Sequence, residues 1–431
     1  MMNKLPNTFG GCLLGVLVML GGTTVSPPVQ AAIGALDRVP AATLLLPYFE
    51  VDLADANGPQ TRFTVVNASA NPALAHATLW TDTGVPTFAL DLYVGGRGSV
   101  EVDLRQLFAG VVPQTSPGAF AAGPDSTPHV AFPSCPLAAS ALYAGMPAPA
   151  RFSNAQIAHL RAAHTGLASA AFGNMCSAAP HGDGIARGYV TIDVVNSCTS
   201  NFPSDSGYFI SGGTGKASNR NVLFGQYTTL ERGDRVTAAS PLVSIEASNT
   251  DPITSVAGSY TFYAAFVGAS AADNREPLGT HWQARYIDVG FFDPGSQFVI
   301  WRDPGFPHAP FVCGSLPTDF PRQQAEIVAF DESENPSVLD SGNVYPNPQP
   351  PPTSPAPWMT QRVDAVVMSP FASGFMFFNL NTAPPGTVAS TTGQMQSYVG
   401  VRQRLNGTFG AELPATYLYG PQDNMSMIIG Y

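Results

Sequence analysis

A mainly β chain, made of two antiparallel β-sandwich domains (immunoglobulin-like or jelly-roll-like) and one short helix, is predicted by three features of the 431 residues. Between Leu44 and Leu104, short apolar segments alternate in polarity residue by residue. Turn residues separate those segments at hairpin spacing. From Ser206 onward, short segments rich in β-branched and aromatic residues recur at similar intervals.

The alternation matters because successive side chains of a strand point to opposite faces. Phe88, Leu90, Leu92 and Val94 fall on one face, and Thr87, Ala89, Asp91 and Tyr93 on the other. After the turn Gly95–Gly98, Val100, Val102 and Leu104 alternate with Ser99, Glu101, Asp103 and Arg105. Upstream, Phe63 and Val65 alternate with Arg62 and Thr64, and Ala75, Ala77 and Leu79 with His76, Thr78 and Trp80. Asn67–Pro72 supplies a turn through local side-chain hydrogen bonding. The pattern predicts an antiparallel meander with one face in water and one face covered by a second sheet or a closed barrel.

VPAATLLLPYFEVD from Val39, TRFTVVNASA from Thr61 and AHATLWTDTGVPTFALDLYV from Ala75 carry a resemblance. So do the later ADNREPLGT from Ala272 and IWRD from Ile300. Together these segments are similar to a group of exported bacterial β-rich proteins of unknown function. The resemblance implies export and β architecture, and it brings no activity, cofactor or functional residue with it.

Residues 1–31 read as a signal peptide. Lys4 supplies positive charge, Cys12–Gly22 an apolar run, and Val29, Gln30 and Ala31 a small-residue cleavage site. The run is shorter than the roughly 20 residues a membrane-spanning helix needs. Export to the periplasm or the extracellular space follows, with no transmembrane anchor and a partner at the cell surface or beyond. The net charge is −11, and Lys4 would leave with the leader. Nucleic acid is therefore excluded as a partner, since phosphate binding needs a basic footprint.

The predicted N-terminal meander or sandwich spans 32–110. Residues 111–200 form an irregular excursion rich in Pro, Ser, Ala and Gly, with its helix at Ser153–His164, capped by Ser153 and stopped by Gly166. A strand follows at Gly188–Asn196. The second sandwich spans 201–431, with strands expected at Tyr208–Ile210, Val222–Tyr227, Leu242–Ala247, Tyr260–Val267, Trp282–Ile287, Gln297–Trp301, Glu326–Phe330, Val363–Met368, Phe375–Leu380, Tyr398–Arg404 and Ala415–Tyr419. The proline-rich stretch 345–358 reads as an extended surface loop within it.

Four cysteines remain after the leader: Cys135, Cys176, Cys198 and Cys313. An even number in an exported chain points to disulfides. Three connectivities are open, and pairing Cys135 with Cys176 and Cys198 with Cys313 is preferred because it pins the excursion. No pair has zinc-knuckle spacing. His159 and His164 lie five apart, about 140° around a helix, so they do not form a metal pair. His76 reads as a solvated strand residue and His181 as a turn residue.

Asp273, Arg275, Glu276, His281 and Arg285, with Arg302 and Asp303, form a charge-dense patch. Asp273, Glu276 and His281 are its candidate catalytic groups, offering acid and base chemistry. The alternative, preferred reading has Arg275 and Arg302 pairing with the acids to tie a loop to a strand end. Asp52, Asp55 and Asn57, and separately Asp331, Glu332 and Glu334, offer oxygen ligands to calcium without matching an EF-hand, and solvated acidic loops are preferred. Trp80, Trp282, Trp301 and Trp358 read as core or sheet-surface residues. No GxSxG, HExxH, GxxxxGK[ST], GxGxxG after a strand or CxxC occurs, so no reaction is named and no cofactor is expected. The expected function is a non-catalytic binding or structural role outside the cell. An exported hydrolase with dispersed carboxylates and a self-assembling surface subunit are the alternatives.

Overall fold

The structure, a computed structural model, describes residues 39–111, 113, 152–231, 237–256, 259–267, 272–292, 295–322, 324, 326–340, 356–381, 395–405 and 409–419. The leader, Cys135 and most of the proline-rich stretch lie outside them. The described strands are β1 (Thr43–Asp52), β2 (Gln60–Asn67), β3 (Ala73–Thr81), β4 (Pro86–Val94), β5 (Ser99–Asp103), β6 (Ile185–Val195), β7 (Leu223–Leu230), β8 (Thr237–Pro241) and β9 (Val243–Ile245). They continue with β10 (His281–Ile287), β11 (Ser296–Arg302), β12 (Glu326–Phe330), β13 (Pro336–Asp340), β14 (Thr360–Asp364), β15 (Ser373–Asn379), β16 (Ser397–Leu405), β17 (Phe409–Pro414) and β18 (Thr416–Tyr419). Two helices recur below, α1 (Leu104–Phe108) and α2 (Asn154–His164).

The strands form four antiparallel sheets, so the mainly β, antiparallel expectation holds. Sheet 1 has the order β5-β2-β7-β8 and sheet 2 the order β4-β3-β6-β1-β9. Sheet 3 is β14-β11-β16-β17 and sheet 4 is β13-β12-β15-β10-β18. Sheets 1 and 2 share one core, in which Phe63, Val65, Val100 and Val102 meet Leu44, Leu46, Leu79, Leu90, Val190 and Ile192. A second core joins sheets 3 and 4 to the opposite face of sheet 2, through Leu45, Trp80, Tyr189, Val243 and Ile245. Aromatic rings make that joint. Trp80 stacks on Tyr189 at 5.7 Å, Tyr189 meets Trp301 edge to face at 5.9 Å, and Trp301 stacks on Phe262 at 5.5 Å.

Sheet 2 therefore has no water face over most of its area, and β1, β3, β4 and β6 are buried nearly throughout. The expected half-wet meander is corrected in two ways. Among β1 to β5 only β3 and β4 pair as consecutive strands; β1 pairs with β6 and β9, and β2 with β5 and β7. The chain steps between sheets 1 and 2, so closely spaced strands need not be hairpin partners. His76, expected in solvent, is fully buried because sheet 2 is covered on both sides. The alternation does hold in sheet 1, where Val100 and Val102 are buried while Ser99 and Glu101 are exposed.

Sheet order also departs from the expected division at residues 110 and 200. β6 sits at the centre of sheet 2, while β7, β8 and β9 complete sheets 1 and 2. All described residues lie within the single unit Ala32–Tyr431. Tyr208–Ile210 has no regular structure, and Tyr260–Val267 forms a turn followed by the helical turn Ala264–Val267. Their aromatic residues satisfy packing at the joint between cores and not a ladder. Val363–Met368 is the end of β14 followed by a helical turn at Ala365–Met368. β8, β13 and β17 carry no strong apolar signal in sequence and appear as outer pairing partners.

The helix α2 begins as its residues dictate. Ser153 accepts from the Gln156 backbone N–H, and the Gln156 side chain returns to the Ser153 N–H, a reciprocal capping box. Gly166, at φ +73°, follows its end. Cys176 is bonded to Cys313, with Cα atoms 5.0 Å apart, which overturns the pairing of Cys176 with Cys135 and of Cys198 with Cys313. The backbone explains the choice, because Cys176 and Phe311 form an antiparallel bridge that sets Cys313 beside Cys176. Cys198 is disulfide-bonded as well. Among the described residues no helix is long and apolar enough to cross a membrane.

Truncating a ring at the joint between the cores tests this architecture. Trp80→Ala is expected to cost about 3–5 kcal/mol, whereas Glu101→Ala on the wet face of sheet 1 should stay within about 0.5 kcal/mol. Equilibrium denaturation of both variants measures the contrast.

Candidate functional site

Pro47 has no backbone N–H and stands inside β1, so it cannot keep the ladder regular. The register of β1 on β6 shifts between Leu46 and Phe49. Bulges of this kind re-aim side chains. Here the Pro47 carbonyl accepts the Thr360 hydroxyl of β14, and Tyr48 lines a cleft of about 280 Å³. β14 supplies Gln361 and Arg362, the segment before it supplies Trp358, and β6 with its preceding turn supplies Arg187 and His181. The cleft thus lies where β1 and β6 of sheet 2 meet β14 of sheet 3.

The polar lining is held in place by acids. Arg362 Nη1 donates to Glu50 and, at 2.7 Å, to Glu231. Arg187 clamps Asp183 with both terminal nitrogens, at 2.9 and 2.5 Å. His181 Nε2 bonds Asp82 at 2.7 Å, and the edge of its ring packs against Trp358 at 5.8 Å. Tyr48 donates to Glu50 at 3.1 Å. Burial, with the Glu50 carboxylate beside it, pushes the Tyr48 phenol up, so it remains a neutral donor.

Glu231 extends the network inward. It accepts from Arg402 at 2.5 Å and faces Arg404 at 3.5 Å, while Arg402 also pairs with Glu412 at 3.0 Å. Tyr227 of sheet 1 donates to Glu412 of sheet 3. Burial raises the Glu231 carboxyl, but Arg362, Arg402 and Arg404 outweigh it and hold the group below its ordinary range.

The patch expected to carry chemistry lies elsewhere and does not line the cleft. Asp273 is fully buried and accepts from the Thr261 hydroxyl at 2.5 Å and the Tyr263 N–H at 2.9 Å, and burial raises its pKa. Arg275 donates to Thr43, the Asp273 carbonyl and the Ser218 carbonyl, and lies 3.5 Å from Asp193. Glu276 is half-buried, its backbone bonded to Glu246. His281 is buried in β10, with Nδ1 2.7 Å from the Thr280 hydroxyl. Arg302 donates to the Leu380 carbonyl at 3.0 Å.

The Asp52–Pro59 loop shows what its oxygens do. Arg105, presented by α1, donates to the carbonyls of Asp52, Asp55, Gly58 and Pro59 and to Gln60 Oε1, at 2.6–3.0 Å. Asp52 and Asp55 accept from backbone N–H groups of their own loop. A guanidinium therefore occupies the middle of the loop's carbonyls. Asp331 likewise accepts from Ser333 and Asn335. Among the described residues, no group of three or more His, Cys, Asp or Glu side chains has a geometry that could hold a metal ion.

Three histidines show how tautomer follows from partners. His76 Nδ1 lies 2.6 Å from Asp91, and Nε2 lies 3.0 Å from the Asn201 carbonyl. Neither partner can donate, so both ring nitrogens carry protons and the ring is cationic. Burial opposes that charge, but Asp91 outweighs it and raises the pKa. His164 is the converse: Nδ1 donates to the Arg187 carbonyl and Nε2 takes the Thr87 hydroxyl, so the ring is neutral, and burial pushes its pKa down to about 4. The Ser169 hydroxyl donates to His159 Nδ1 at 2.7 Å, while His159 Nε2 bonds the Thr87 carbonyl. Ser169 is 1% exposed, so this pair fastens α2 to β4 and the turn at Ala170 and presents no nucleophile to solvent.

Comparison with protein-family models, curated proteins and solved structures finds no match to this chain. Of the polar and aromatic cleft residues, the sequence marks His181 as a turn residue and Trp358 as a core or sheet-surface residue. Pro47 inside an apolar run was the available signal for the bulge.

His164 gives a pH test. Its depressed pKa means the unfolded chain takes the proton first. Stability is full above pH 6.5 and falls by about 3 kcal/mol as the pH drops to about 4. Replacing His164 with Gln should remove that much of the slope, read as the difference in unfolding free energy between pH 7 and pH 4. Arg105→Met, which keeps the stem and removes the donors, should cost about 1–3 kcal/mol and open the Asp52–Pro59 loop to limited proteolysis.

Proposed function

We propose that the chain is an exported, non-catalytic binding module of the cell exterior and that the cleft at Tyr48, Trp358 and Arg362 is its ligand seat. Export is supported by the leader-like first 31 residues, the resemblance to exported bacterial proteins, and the Cys176–Cys313 disulfide, since disulfides persist in oxidising compartments. Binding rests on one observation. The cleft is lined by hydrogen-bond donors and an indole ring, with no carboxylate among the described residues of its lining. A concave site with a few convergent polar groups and an aromatic wall suits a small polar ligand. A binding role without catalysis is supported by the hydroxyl–imidazole pairs Ser169–His159, Thr87–His164 and Thr280–His281 among the described residues, each of which has its hydroxyl buried.

The test is a thermal-shift screen of the mature protein against small sugars, organic acids and amino acids, with Trp358→Ala as the control. At least one compound should raise the melting temperature of the parent protein and leave that of the variant unchanged. Shifts of equal size in both proteins would move the ligand seat away from the cleft, and a screen without any shift would remove the binding role.

A further inference from the structure

We propose that the ligand of this cleft is a monosaccharide-sized organic acid, a ring compound whose carboxylate is held by Arg362 while its ring lies against Trp358. The proposal rests on the binding reading above and names the chemistry of its ligand. Charge placement is the first argument. Glu50 and Glu231 both close on one nitrogen of Arg362, Nη1. A guanidinium carries five N–H donors in a planar fork, and the remainder of this fork belongs to a side chain that is 20% exposed. Arg187, 17% exposed, adds a second cation to the lining, fixed by Asp183. At Arg362 the acids are the more buried partners, Glu50 at 3% and Glu231 at 10% exposure against 20%, so a ligand at this side chain meets positive charge first even though the charges balance locally. Planar guanidinium groups match the two oxygens of a carboxylate.

Size and shape are the second argument. A volume of about 280 Å³ holds about nine waters at roughly 30 Å³ each, the scale of one ring with its substituents. Trp358 is braced by the ring of His181 at 5.8 Å and by Phe320 at 5.9 Å, and remains half-buried, whereas Trp80, Trp282 and Trp301 are in the core. A braced and partly exposed indole is a platform for a ring. Gln361 and Tyr48 line the same cleft, with the Tyr48 hydroxyl held by Glu50.

Two matched pairs of probes isolate the charge: glucuronate against glucose, and benzoate against benzyl alcohol. Titration calorimetry at low salt should show at least one acid binding about tenfold or more tightly than its neutral counterpart, a difference of one charge-assisted contact. Trp358→Ala should weaken that acid about tenfold, because a lost ring contact is worth a similar amount. Arg362→Gln would leave Glu50 and Glu231 unbalanced, so it is combined with Glu50→Gln. The double variant should bind acid and neutral probe alike. Equal affinity of acid and neutral probe in the parent protein, with Trp358 still required, would overturn the organic-acid assignment and leave the binding module standing. Absence of binding by all four probes up to about 10 mM would overturn the assignment too, and the broader screen then decides whether the binding reading survives.

Discussion

A sheet covered on both faces governs this molecule. Once sheet 2 is enclosed by sheet 1 on one side and by the aromatic joint with sheet 3 on the other, polar side chains on β1, β3, β4 and β6 need partners inside the protein, which the charged ones find and the Thr78 hydroxyl of β3 does not. Unpaired polar groups in such a place cost several kcal/mol. Asp193 shows the consequence: it accepts from Thr43, Tyr208 and Tyr263 and lies near Arg275, so one carboxylate ties β6 to β1 and to the segments around 208, 263 and 275. His76 and Asp91 tie β3 to β4, and Asp91 reaches the Thr199 backbone. The segments with little regular structure are held by these buried charges as well as by apolar packing.

The same constraint builds the cleft. Glu50 of β1 points into the joint, where burial would be costly for a lone carboxylate, and Arg362 of β14 answers it. Glu231, Arg402 and Glu412 continue the chain of alternating charges until Tyr227 of sheet 1 closes it. Removing one member of such a network is far more damaging than never having had it, because the partner is left charged and buried. The network therefore fixes β14 against β1, and the bulge at Pro47 opens the space between them. The cleft wall is a by-product of satisfying buried charge, which is why its cations are so firmly oriented.

The sequence made some elements readable and concealed others for identifiable reasons. β12 was legible in place, β5 was legible except for Leu104 and Arg105, which open α1 instead, and α2 with its Ser153 cap and Gly166 stop was legible to within a residue, because alternation and capping are local properties. The turn and helical turn over Tyr260–Val267 were not, since Phe262 and Tyr263 signal burial, and burial can be met by Phe262 in a turn packed on Trp301 as well as by a strand. The run Leu44–Phe49 carries a local sign of its own, since continuous apolar residues mark a strand buried on both faces. Arg105 was assigned to a wet strand face and instead fills the carbonyl ring of a loop 45–53 residues away. The cleft residues Tyr48, Arg187, Gln361 and Arg362 lacked any shared motif because they come from three separate strands.

By itself the sequence determined the class of the fold, most strand positions, the helix ends and an even set of cysteines suited to disulfides, all set by patterns spanning a few residues. The tertiary structure alone decided which strands are neighbours, that Cys176 meets Cys313, that His76 is charged while His164 is neutral, and that Glu50, Glu231 and Arg362 share one site. Those outcomes depend on which residues distant in the chain share a low-dielectric interior. Local periodicity says that a face must be buried, and only packing says what buries it.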